Sequence, residues 1–220
     1  MKRARAIATD PQLWLPLVVL AIGIGVVGLI LTRSESVGEV PKPLAANELR
    51  PASSFAGIAD PRSRSIALFE EAGKVLQSPR CVNCHPATDR PRQTDERRLH
   101  IPLVVRGADG HGAPGMRCTT CHHVDNFEPA GIPGNDHWHL APASMTWEGL
   151  SLGQICEQLK DPARNGDRDI PTIVHHVVSD TLVIWAWSPG SDRTPAPGTN
   201  AEFGELLRAW ADAGASCPSP

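Results

Sequence analysis

Residues 13–31, LWLPLVVLAIGIGVVGLIL, carry no charge and no polar amide, and they are apolar on every side. At about 1.5 Å per residue they would reach roughly 28 Å as a helix, close to the hydrocarbon thickness of a bilayer. Lys2, Arg3 and Arg5 precede the segment and only Arg33 follows it closely. This pattern predicts a single transmembrane anchor with residues 1–12 on the cytoplasmic side. A cleaved signal peptide would end in a small-x-small site, which the exit TRSESVGEV does not offer. Residues 32–60 show neither a helical nor a strand period and hold three prolines within SESVGEVPKPLAANELRPASSFAG, so they read as a Pro-rich linker.

Helical periodicity begins beyond residue 61. In SRSIALFEEAGKVLQS (63–78), Ile66, Phe69, Ala72 or Gly73, and Leu76 share one face. In SLGQICEQLKDP, Ser151 and Gln154 form a capping box, Ile155 and Leu159 face inward, and Asp161-Pro162 ends the helix. Thr199 and Glu202 repeat the box ahead of Phe203, Leu206, Leu207 and Trp210, with Gly214 closing the segment. A shorter helix is expected over 171–179, with Pro171 near its start. No segment alternates as a strand. The expected fold is mainly α with extensive loops, a compact domain over 61–220 behind the N-terminal anchor.

Composition sharpens this picture. Among 220 residues there are 21 Pro and 19 Gly, which favours turns over long elements. There is no Tyr and there are four Phe, so an aromatic core is thin despite six Trp. A formal net charge of −3 predicts no nucleic-acid partner.

The chemistry lies in a repeated string, RCVNCH at 80–85 and RCTTCH at 117–122. In Cys-x-x-Cys-His, two thiols can add to the vinyl groups of haem while the adjacent histidine supplies the proximal nitrogen. Cys81, Cys84, Cys118 and Cys121 then attach two c-type haems, with His85 and His122 as proximal iron ligands. A zinc site built from the same four thiols would leave both histidines unexplained. A redox dithiol would need a βαβ context that is not visible. An apolar porphyrin also suits a chain with so few aromatic residues. Only 32 residues separate His85 from Cys118, so both haems are expected in one unit, close together.

Several residues compete for the distal positions. His100, His139 and His176 are the favoured candidates, with Met145 behind them. A distal His lowers the potential and a distal Met raises it. His123 reads as a solvated neighbour of His122. Cys156 and Cys217, beside two capped helices, read as a structural disulfide worth about 4 kcal/mol on the chain-entropy model, in preference to a redox pair or a third metal site. Trp185 and Trp187 are given no electron-transfer role.

HGAPGMRCTTCHHVDNF, HWHLAPASMTWEGLS, LKDPARNG and PAPGTNAEFGELLRAWADAGASCP resemble a family of small dihaem c-type cytochromes identified as isoquinoline 1-oxidoreductase subunits. The resemblance spans about residues 80–218. It implies haem attachment at Cys81, Cys84, His85, Cys118, Cys121 and His122, and pairing of Cys156 with Cys217. It also implies a role as redox companion of periplasmic molybdenum hydroxylases. No molybdopterin or flavin motif is present in this chain, so hydroxylation would belong to the partner.

Together these readings lead to the expectation of an electron-transfer protein with two covalent c-type haems. It would carry electrons between a periplasmic dehydrogenase and another cytochrome or the respiratory chain, and would not be an enzyme in its own right. The expected location is the bacterial inner membrane, single-pass, with the haem domain in the periplasm. The alternative is a haem enzyme or sensor with one open coordination position, peroxidase-like or gas-binding. A third reading is an assembly factor in which the haems are purely structural.

Overall fold

The computed structural model describes residue 45, residues 47–190 and residues 192–220. The chain divides into two units at Pro43/Leu44, and all the described residues belong to the second, Leu44–Pro220. Its helices are α1 (Pro61–Leu76), α2 (Pro79–Val82), α3 (Leu152–Lys160), α4 (Pro162–Asn165), α5 (Ile170–Ser179), α6 (Thr181–Ile184) and α7 (Asn200–Asp212).

Local sequence explains where these helices begin. The Asp60 carboxylate accepts from Ser63 N at 2.8 Å, and Pro61 occupies the first turn, where a missing N–H costs nothing. Complete capping boxes start α3, at Ser151 and Gln154, and α7, at Thr199 and Glu202. Asp169 caps α5 through Thr172 N.

α1 and α7 form the central helix pair, α5 packs on α7, and α3 touches α1 and α5. The core between them holds Phe69, Val75, Leu76, Ile155, Leu159, Ile173, Phe203, Leu206 and Trp210. Phe69 and Trp210 meet with ring centroids 5.0 Å apart. Gly73 lets α3 approach closely, since a Cβ there would fall 2.5 Å from the Leu152 side chain. Behind Trp210, Ser65 Oγ donates to Trp210 O and accepts from Ser216 N, which pins the C-terminal segment to α1. Cys156 and Cys217 are joined as a disulfide across a separation of 61 residues.

Several expectations need correction. The sequence pattern places a single transmembrane helix ahead of the domain, with an inner-membrane location to match. Among the described residues no helix is long and apolar enough to cross a membrane. The longest, α1, has 16 residues and a charged outer face. The segment 13–31 and residues 1–12 lie outside the described residues. The pattern also extends the linker to residue 60. Instead Leu49 and Phe55 enter the core, and Arg50 N and Nε both donate to the buried Glu71. Strands are a further departure. Among the described residues two antiparallel ladders occur, β1 (Arg92–Gln93) with β2 (Arg98–Leu99), and β3 (Gly112–Ala113) with β4 (Met116–Arg117). Each strand has two residues, too short to leave a period in the sequence.

Candidate functional site

The first Cys-x-x-Cys-His is shaped by α2 and the turn after it. Cys81 N donates to Ser78 O, Cys84 N to Cys81 O, and His85 N to Val82 O, each at 3.1 Å. The turn presents Cys81, Cys84 and His85 to one cavity of about 530 Å³, within the usual range for small-molecule sites. Its apolar wall includes Leu76, Leu159, Ile173, Val177 and Phe203 from the helical core.

The loop 141–148 clasps this motif. Ala141 N donates to Cys84 O at 3.1 Å, and Trp147 N and Glu148 N both donate to His85 O. The Trp147 ring lies flat on the His85 ring, with centroids 3.6 Å apart and planes 8° apart. His85 Nδ1 sits 2.6 Å from Met145 O. A carbonyl only accepts, so Nδ1 carries the proton and Nε2 keeps its lone pair. Burial lowers the His85 pKa to about 4, and the Met145 carbonyl only partly offsets this. The ring is therefore neutral at pH 7, with the Nε2 lone pair available to a ligand.

The second motif repeats these features on an unrelated loop. His122 N donates to Cys118 O at 3.0 Å. His122 Nδ1 donates to Pro133 O at 2.7 Å, and Trp138 stacks on the ring with centroids 4.4 Å apart and planes 8° apart. Burial lowers this pKa also to about 4. Asn126 organises the surroundings, since its Oδ1 accepts from both Gly134 N and Trp185 Nε1 at 2.9 Å. Glycine is required at 134, where a Cβ would fall 2.0 Å from Asp125 O.

The four motif thiols are free. Burial pushes the Cys81 pKa up to about 12 and Cys84 up to about 11, and it raises Cys118 as well. Redox-active dithiols need the opposite shift. Among the described residues, no three His, Cys, Asp or Glu side chains converge as a bare metal ion requires, so the four thiols do not gather into a tetrahedral zinc site. A haem needs only axial donors from the protein. Two neutral thiols beside a neutral imidazole with a free Nε2, on an apolar cavity, match that donor set.

The distal candidates divide between the two motifs. His176 on α5 lines the first cavity, with Nδ1 3.4 Å from Asp180 Oδ2. His139 lines the same cavity, but its Nδ1 is 2.5 Å from His137 O and its ring leans on His111. His100 is not at that cavity. It lies against His122, with ring centroids 6.0 Å apart and planes at 67°, and its Nδ1 is 3.1 Å from Pro102 O. Met145 is buried, lines the first cavity, and holds the His85 ring through its carbonyl. His123 is exposed.

Sequence reasoning did not reach the two tryptophans that stack on the histidines or the two carbonyls that fix them. Met145 is 60 residues from His85, and Pro133 is 11 from His122, so no shared spacing announces the repeat. Comparison with protein-family models, with curated proteins and with solved structures finds no match for this chain.

Proposed function

We propose that this protein is an electron carrier with two covalently attached c-type haems, held at Cys81, Cys84 and His85 and at Cys118, Cys121 and His122. The observation that carries this reading is the duplicated histidine environment. Both motif histidines have Nδ1 committed to a backbone carbonyl, a free Nε2, a tryptophan stacked at 8° and a pKa lowered by burial. Two unrelated loops supply the same arrangement, which ordinary core packing does not require.

When bound, haem supplies one-electron iron chemistry. The chain's own part is to fix, orient and shield. Cys81 and Cys84 tether the first group, and Cys118 and Cys121 the second. Trp147 and Trp138 hold the imidazole planes. His176 would be the further histidine donor at the first site and His100 at the second, which favours an electron carrier over the open position that a peroxidase or gas sensor needs. The apolar wall of the first cavity would suit the porphyrin ring. Electrons would pass between a donor enzyme and a second acceptor, and the sequence resemblance directs the donor toward the molybdenum hydroxylase class.

Potentiometric titration tests the proposal. Two reversible one-electron steps on low-spin haem are expected. A high-spin centre that reacts with peroxide, or haem that cannot be reduced reversibly, would overturn it.

A further inference from the structure

The cavity behind the first motif contains more positive charge than the protein neutralises. Arg80, Arg106 and Arg168 line it, against Asp109 and Asp180. Neither carboxylate pairs with an arginine of the cavity. Asp109 pairs with Arg117 at 2.9 Å, and Asp180 caps α6 by accepting from Leu182 N and Val183 N. Arg168 is exposed and donates to Asn165 O. Arg80 is buried but paired with Asp95 at 2.5 Å.

Arg106 differs from both. It is buried, and its guanidinium donates to two backbone carbonyls, Ala141 O and Thr88 O. Among the described residues it forms no ion pair. Asp89 is the acidic group that acts on it electrostatically, and that residue is exposed. A buried cation without an anion is costly, by several kcal/mol in general. A guanidinium has five N–H donors, and two carbonyls leave part of that fork unused. The residue lines the same cavity as His85. The cavity that receives the thiols and His85 thus also presents an unpaired fork suited to a carboxylate.

We propose that Arg106 binds a propionate carboxylate of the haem at the first site, and so raises that haem's potential. The inference rests on the dihaem reading. Haem carries two propionates, and a carboxylate provides the missing counter-charge in the geometry a guanidinium prefers. The Ala141 carbonyl that Arg106 holds belongs to the same residue whose N–H clasps Cys84, so the arginine is positioned together with the attachment loop.

The test uses the holoprotein and its R106Q and R106K variants. Three readouts are compared: haem per chain, the propionate bending band in resonance Raman, and the two midpoint potentials. All three proteins are expected to hold two haems. In R106Q the propionate band of one haem should shift, and that centre's potential should fall by about 59 mV, a tenfold change for one electron. R106K keeps the charge but loses the fork, so its band should shift with a smaller change in potential. If R106Q loses haem, R106K is read in its place. Unshifted propionate bands in the variants would overturn the proposal, whatever the potentials do. Wild-type protein without covalent haem would instead overturn the dihaem reading.

Discussion

Trp138 lies flat on His122 and is itself met by Trp185, edge-on, with centroids 4.9 Å apart and planes at 83°. Trp185 also lines the cavity of the first motif. A continuous run of aromatic contacts therefore joins the first cavity to the His122 ring, held at its cavity end by the bond from Trp185 Nε1 to Asn126.

Replacing Trp147 with Leu should cost about 3 kcal/mol, since the ring is buried and its loss leaves a cavity beside His85. Trp138→Leu should cost less, about 1 kcal/mol, because that ring is only half-buried and mainly loses its stacking. Each variant should broaden the low-spin electron paramagnetic resonance signal of one haem, as its histidine plane loses its stop. Urea unfolding and the ferric spectrum check the two parts separately.

His176→Ala and His100→Ala should each turn one of the two centres high-spin. The first acts at the site of His85, whose cavity His176 lines, and the second at the site of His122, which His100 faces at 6.0 Å. The double variant should turn both. Ferric absorption spectra read the fraction directly, and unchanged spectra would remove these residues as ligands.

The disulfide closes a separation of 61 residues between α3 and the C-terminal segment. Replacing Cys156 and Cys217 together with Ser should lower stability by about 4 kcal/mol. Denaturant unfolding measures this without disturbing the motif cysteines.

Glu71 gives the fold a pH dependence. Burial would raise its pKa, but bonds from Lys74 and from the backbone and side chain of Arg50 outweigh it, and the net shift is downward from 4.5. A lowered carboxylate pKa means the unfolded chain binds the proton first as pH falls. The contribution of Glu71 is therefore complete above the ordinary carboxylate range and is lost as pH drops through its lowered value. Glu71→Gln should cost about 2 kcal/mol near neutral pH, and the gap to wild type should shrink in acid. Unfolding midpoints near neutral pH and well below the ordinary carboxylate range check the sign.

Capping chemistry made α3 and α7 legible in the sequence, because Ser151 with Gln154 and Thr199 with Glu202 are local signals. The helix before the first motif was legible from its apolar period, although it starts at Asp60-Pro61, where cap and proline act together, rather than at residue 63. Leu49 and Phe55 were not legible as core, since two apolar residues among prolines leave no period. In the site, the thiols and motif histidines were visible as a string. What orients those histidines was not, because Trp147, Met145, Trp138 and Pro133 act across loops of unequal length. The choice between His100 and His176 likewise needed the fold, which sends one to each motif.

Covalent attachment is the central claim, and its most direct test is intact mass combined with a pyridine haemochrome assay. The protein would be produced alongside c-type haem maturation machinery, with Cys81→Ala/Cys84→Ala and Cys118→Ala/Cys121→Ala variants in parallel. The account predicts two haems on the wild-type chain and one on each variant. A wild-type chain with the mass of the polypeptide alone and no haemochrome band would contradict it.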